Sequence, residues 1–294
     1  MKVFLLFLFL CVGCVAPQDW TEGLPKSCWK QSWQVGLQSK LVPDQTGLFI
    51  EKDCADALTA ILPFDSSFEN APQGLKNRVI EAFATLLAYP LRIPEKNQLF
   101  GIAPQIGGVF PTSLMQVARA STDPNRALFN YVVNQVDVIE WREKSAEGFT
   151  AHFGVDLTET QGVRIMTVYN SYWTRDEGLD STIFPFFRAS TLVHEARHSD
   201  GYFHLGCTTV HDGADCDSDL SGPYGFQLAY LHFLLAGSGD LLHGDEITLK
   251  KIGYLIFRRS KQRINHLPKE LRRFLDSHDE TEIDEAWLRK YQEL

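Results

Sequence analysis

The eleven residues from His194 to His204 read His-Glu-Ala-Arg-His-Ser-Asp-Gly-Tyr-Phe-His, a set of side chains able to hold a metal ion and move a proton beside it. On a helix, His194 and His198 leave the same face, so both imidazoles can reach one ion. Three neutral imidazoles with a fourth position open is the layout of a catalytic zinc site rather than a closed structural one. Glu195, beside the first imidazole, is placed to take a proton from water that the metal activates. Gly201 is expected to end the helix in a left-handed conformation and turn the chain back, letting His204 approach as the third ligand. With 9 His and 21 Gly in 294 residues, random placement gives roughly 3 × 10⁻⁵ expected matches to all five fixed positions. The bland alternative, a surface helix with solvated histidines, is the weaker reading.

Further candidates lie in and after the motif. The stretch from Cys207 to Gly225 holds His211, Asp212, Asp215, Asp217, Asp219 and Tyr224. His211 is a rival third ligand, because a small disulfide loop can fold it back towards the helix. The aspartates do not form an EF-hand, since Leu220 and Phe226 stand where Gly and Glu are needed. They are expected to form a solvated, substrate-facing loop. Tyr224, within Gly-Pro-Tyr-Gly, has three readings: a ring under the metal, a donor to the transition-state oxyanion, or a packed turn tyrosine. Asp200 is either a support for a ligand imidazole or a solvated helix end. His232, on an apolar helix, reads as a core histidine.

The pattern H-E-x-x-H-x-x-G-x-x-H resembles that of the zincins, and among them the metzincin metallopeptidases. The resemblance covers these eleven residues and, loosely, the segment before them. It implies zinc on His194, His198 and His204, with Glu195 as general base and then general acid in hydrolysis of an amide. The implied fold is α+β and zincin-like: a mixed sheet packed on the active-site helix, with a largely helical C-terminal part. One departure stands out. Metzincins carry a methionine in a tight turn downstream of the third ligand, whereas the methionines here are Met1, Met115 and Met166, all upstream. The chain is thus a divergent member or a different zincin lineage with the same spacing.

Residues 1–13 read as a signal peptide, with Lys2 as a minimal positive region and Val3 to Val12 as an apolar stretch too short to span a bilayer. Cys14, preceded by Gly13, resembles the modified cysteine of a bacterial lipoprotein signal, although Cys11 occupies the place where Leu is usual. The rival is a cut after Ala16, which Pro17 disfavours. Cleavage before Cys14 leaves Cys28, Cys54, Cys207 and Cys216, an even number that in an exported protein reads as two disulfides. Of three connectivities, Cys28–Cys54 and Cys207–Cys216 is the local choice. The expected location is the periplasm or the membrane of a bacterial envelope, anchored by lipid at Cys14, with secretion as the alternative. A net charge of −9 argues against general nucleic-acid binding.

The elements that must position these residues follow from periodicity. Ala55–Leu62 and Leu75–Leu91 have helical spacing, and 94–108 is rich in Pro and Gly. Val132–Trp141, Phe149–Leu157 and Val163–Tyr172 read as strands, the last the strongest; it precedes the zinc helix either as a substrate-pairing edge or as a buried interior strand. The zinc helix is expected over Pro185–Ser199, seated by Phe186, Ala189, Val193 and Ala196. Helices follow over Phe226–Ala236, Ile247–Ile264, Pro268–Leu275 and Glu282–Leu294; the basic run from Lys250 to Arg263 lies within them as a solvated face, with contact to anionic envelope polymers as the second reading. The chain divides into a signal (1–13), an N-terminal loop and helix region (14–110) and a zincin-like catalytic region (111–294), or carries one domain over 18–294. The N-terminal region is either part of the core or a pro-segment, with Cys28 or Cys54 as a possible metal silencer.

The expected activity is that of an exported zinc metallopeptidase acting on a peptide or protein substrate, with Glu195 and Tyr224 as its catalytic candidates. Two rivals stand beside it. One is an envelope lipoprotein that binds metal without proteolysis; the other is a zinc amidase acting on cell-wall peptide.

Overall fold

A computed structural model describes residues 18–29, 50–72, 74–95, 99–100, 109–144, 151–156, 162–170, 184–208, 215–242 and 246–279. Residues 1–13 with Cys14, His211, most of the 94–108 stretch and the expected helix over Glu282–Leu294 lie outside the described residues. Among the described residues the fold is α+β and mostly helical. The helices are α1 (Lys52–Ile61), α2 (Leu75–Ala88), α3 (Thr112–Arg119), α4 (Pro124–Asn134), α5 (Phe184–His198), α6 (Pro223–Leu242), α7 (Glu246–Arg263) and α8 (Lys269–Ser277). One mixed sheet is built from β1 (Val138–Arg142), β2 (Ala151–Asp156) and β3 (Val163–Tyr169).

Local chemistry sets several boundaries. Asp123 caps α4 by accepting the N–H groups of Asn125 and Arg126, and Pro124 supplies the first helical position. That start signal carries the helix through Val132 and Val133, so the strand expected from Val132 is shortened to β1, which begins at Val138. Two adjacent β-branched residues do not break a helix that is capped and buried on one face. Helix α2 stops before Pro90, because the residue preceding a proline disfavours helical backbone.

In the sheet, β3 lies in the middle, parallel to β1 and antiparallel to β2. The expected strand, formed over Val163–Tyr169, is therefore interior among the described residues, and β2 is the edge nearer the motif helix. On the far side, β1 is extended by Ile139, whose N–H donates to the Pro63 carbonyl and whose carbonyl accepts from Asp65.

Helix α5 packs against α2, α4, α6 and the edge strand β2. Its Phe186, Ala189, Leu192, Val193 and Ala196 are buried, and Tyr89 meets Phe186 edge-to-face at 4.6 Å. Helix α6 is apolar around its whole circumference and is buried from its N-terminus through Ala236, as a central helix of a large core must be. The core is one continuous cluster running from Cys28 to Leu275. Cys28–Cys54 ties the 3-10 turn Lys26–Trp29 to α1, and Cys207–Cys216 closes the loop after the motif; both expected pairings form. No described helix is long and apolar enough to cross a membrane.

Candidate metal centre

The last turn of α5 presents His194 and His198 on one face. The chain then leaves the helix through Gly201, whose φ of +83° lies in the left-handed region that glycine enters without a Cβ penalty. Three residues later His204 returns to the helix. The ligand atoms of His194, His198 and His204 lie within 4.8 Å of one another, the one such group among the described residues. His194 Nε2 and His204 Nε2 are 3.1 Å apart. Two imidazoles bound at ~2.0–2.1 Å in tetrahedral geometry have their nitrogens about 3.3 Å apart, so the donor set fits a metal ion. Three imidazoles suit zinc, copper, iron or nickel rather than calcium or magnesium.

Two of the imidazoles are oriented from behind. His198 Nδ1 donates to the Tyr202 carbonyl at 2.6 Å, which leaves Nε2 as the metal-facing lone pair. His204 Nδ1 donates to Asp217 Oδ1 at 2.9 Å with the same result. His194 is held differently: its Nδ1 is buried with no hydrogen-bond partner among the described residues, and rings fix the plane. The Tyr224 ring meets His194 edge-on at 4.5 Å and stacks on His204 at 4.8 Å. Burial, then the neighbouring imidazoles, lowers His194 far below the ordinary histidine range and brings His198 down to about 4. Both are thereby held neutral and able to ligate.

Asp217 is 1 % exposed, not part of a solvated loop as its sequence neighbours suggested. Its second oxygen accepts the N–H of Gly225 at 3.0 Å, in the first turn of α6. Its backbone is pinned to the end of α7, with its N–H on the Arg263 carbonyl at 2.8 Å and its carbonyl accepting from Asn265 at 2.9 Å. Burial raises the Asp217 carboxyl, while the bonds from His204, Gly225 and Tyr224 pull the other way. Two glycines make room for this packing. A Cβ on Gly222 would stand 2.4 Å from Asp217 Cγ, and one on Gly225 would stand 2.0 Å from the Leu220 carbonyl oxygen.

Asp200, the other candidate support, goes elsewhere. It accepts from Tyr131, Gln135 and Arg197 and touches no ligand imidazole. Asp215 reaches the site instead: Oδ1 lies 3.2 Å from His204 Nε2, and Oδ2 accepts the Tyr224 hydroxyl at 2.7 Å. Arg263 donates to the Asp215 carbonyl at 3.0 Å, and its guanidinium lies 5.5 Å from the Tyr224 ring centre.

Glu195, the neighbour of His194 on α5, is buried. Burial, reinforced by the Asp215 charge, pushes its carboxyl up to about 8, and a hydrogen bond from the backbone N–H of Phe153 opposes the rise. That N–H comes from the edge strand β2, so strand and acid share one site. His232 is buried away from the cluster, 5.6 Å from Phe110 between ring centres, in keeping with a core histidine.

No protein-family model, curated protein or solved structure matches the chain. The chemistry of the site therefore carries the functional reading. Sequence reasoning brought together His194, Glu195, His198, His204 and Tyr224; it missed Asp217 as an orienting residue and Phe153 as a backbone donor. The available signal for Asp217 was Gly-Pro-Tyr-Gly, a helix start that needs an acidic cap nearby. A backbone N–H has no residue signature at all.

Proposed function

We propose that this chain is an exported, zinc-dependent metallopeptidase of the zincin type. The observation that carries the reading is a buried Glu195, next in the helix to His194 of the three-histidine cluster and bonded by the N–H of Phe153 on the edge strand. Holding a metal requires no such carboxylate, and burying an acid without a task is costly. Bound to the three imidazoles, zinc supplies Lewis-acid polarisation of a carbonyl and acidification of a water molecule. Glu195 in its ionised form accepts a proton from the attacking water and delivers it to the leaving amide nitrogen. The edge of β2 offers backbone groups to an extended peptide, as an edge strand does in zincins. Tyr224 acts here as a positioning residue, its ring steadying His194 and His204 while Asp215 engages its hydroxyl.

Export rests on the signal-like residues 1–13, with lipid attachment at Cys14 as the first choice and a cut after Ala16 as the second. The two disulfides are consistent with an oxidising compartment. The decisive experiment measures metal content and peptide hydrolysis of the mature protein beside Glu195→Gln. Zinc in both, with turnover only in the parent, supports the reading. Zinc in both with no turnover on protein, peptide or cell-wall substrates moves the chain to the metal-binding lipoprotein class. Turnover restricted to cell-wall peptide makes it an amidase.

A further inference from the structure

The large apolar side chains that are exposed among the described residues are four: Val155 at 47 %, Tyr202 at 38 %, Phe203 at 69 % and Leu205 at 53 %. Singly scattered exposed hydrophobes need no account, but these are not scattered. Two of them, Tyr202 and Phe203, lie in the stretch joining the second and third imidazoles, Leu205 directly follows the third, and Val155 is two residues along β2 from Phe153, whose N–H bonds Glu195.

The stretch from Tyr202 to Leu205 is also held rigidly. The Tyr202 carbonyl accepts from His198, and its ring lies 3.7 Å under the buried Arg197 guanidinium, which is fixed by Asp200 and the Ser221 carbonyl. Leu205 exchanges both backbone hydrogen bonds with Cys216, and the Cys207–Cys216 disulfide closes the loop behind it. The Phe203 ring, with its centre 6.3 Å from that of His198, is thereby presented to solvent beside the ligands. A fixed apolar surface loses little side-chain freedom when it is covered, so covering it is favourable. The neighbouring β2 edge favours an extended peptide as the cover, because an edge supplies the directional backbone bonds that a lipid surface does not use.

We infer that Tyr202, Phe203, Leu205 and Val155 form the specificity surface of this site, which selects an extended peptide carrying a bulky apolar side chain next to the scissile amide. The inference rests on the peptidase reading for the word scissile, but the preference itself is a binding property. It is tested on the full mature chain loaded with zinc and carrying Glu195→Gln, so that peptides bind without being cut. Labelled heptapeptides with a central Phe or Leu are compared with central Ser or Lys by fluorescence anisotropy. The expected result is a Kd at least tenfold lower for the apolar peptides, reduced to parity by Phe203→Ser with Leu205→Ser at unchanged zinc content. Phe203→Leu should restore most of the preference. If the double variant loses zinc, Val155→Ser, on a separate element, takes its place with the same expectation.

Equal Kd values, or a preference that survives all these substitutions, overturn the inference. So does binding to neutral phosphatidylcholine vesicles that depends on Phe203 and Leu205 without any peptide preference. Hydrolysis by the Glu195 protein with no apolar preference removes the inference and leaves the peptidase reading. An apolar preference with no hydrolysis does the reverse.

Discussion

Asp217 accepts the Nδ1–H of His204 with one oxygen, at 2.9 Å, and the N–H of Gly225 with the other, at 3.0 Å. One buried carboxylate thus sets the direction of the third imidazole and the first turn of α6. Metal-site order and core order are joined at a single side chain.

Asp217→Ala is expected to weaken metal affinity by about 10–100-fold and to destabilise the fold by roughly 1–2 kcal/mol through loss of the helix cap. Asp217→Asn keeps an acceptor for His204 and should lose less of both. Chelator competition and thermal melts of the two variants check the order; equal losses in the two would break it.

Gly201 carries φ of +83° with nothing within 4 Å of where a Cβ would stand. Replacement by Ala therefore meets no clash, and its cost is backbone strain alone, about 1–2 kcal/mol. Gly201→Asn should cost less than Gly201→Ala, and Gly201→Val more, since asparagine tolerates left-handed backbone and a β-branched residue does not. Zinc affinity should follow the same order, because His204 depends on that turn. Melting temperature and metal content across the three variants measure it.

The two disulfides should separate by readout. Chain entropy gives about 3.5 kcal/mol for the Cys28–Cys54 loop and about 2.6 kcal/mol for Cys207–Cys216, from sequence separations of 26 and 9. Cys28→Ser with Cys54→Ser should lower Tm most and spare metal binding. Cys207→Ser with Cys216→Ser should lower metal affinity out of proportion to its Tm change, because that bridge ties the chain just after His204 to the residue before its partner Asp217.

Burial holds His232 neutral in the folded chain, with its pKa down at about 3 against an ordinary 6.5. Between these values the unfolded chain binds the extra proton and the folded chain does not, so stability rises with pH across that window and is flat above it. The contribution is lost on acidification at up to about 1.4 kcal/mol per pH unit. His232→Leu should flatten the acid limb of the stability profile relative to the parent, and urea unfolding at pH 7 and pH 4.5 tests this. An unchanged difference between the two pH values would show that His232 is not the group responsible.

Much of this site was legible in the chain because its signals are local. Helical spacing placed His194 and His198 on one face, Gly201 marked the turn, and of three pairings open to four cysteines the local one formed. What escaped was non-local. The order β1-β3-β2 depends on which strands pair, and alternation within a strand says nothing about that; hence an interior β3 and an edge β2. Helix α4 was hidden by Val132 and Val133, whose strand preference lost to the Asp123 cap and to burial. Asp217 looked like its solvated neighbours because an acidic residue rarely reads as core. Its burial follows from contacts with the ends of α6 and α7, elements that begin or end at Pro223 and Arg263.

The close fit of Gly222 against Asp217 and of Gly225 against the Leu220 backbone also bears on how such a site can vary between proteins. With no space for a side chain at either glycine, drift at Gly222 is blocked for as long as Asp217 stays buried, and drift at Gly225 by the Leu220 backbone. A usable search pattern results: H-E-x-x-H-x-x-G-x-x-H, then an aspartate thirteen residues after the last histidine, followed by four free positions and G-P-Y-G. Chains sharing the first part alone inherit a metal-binding helix; those sharing both parts inherit the way its third ligand is fastened to the core.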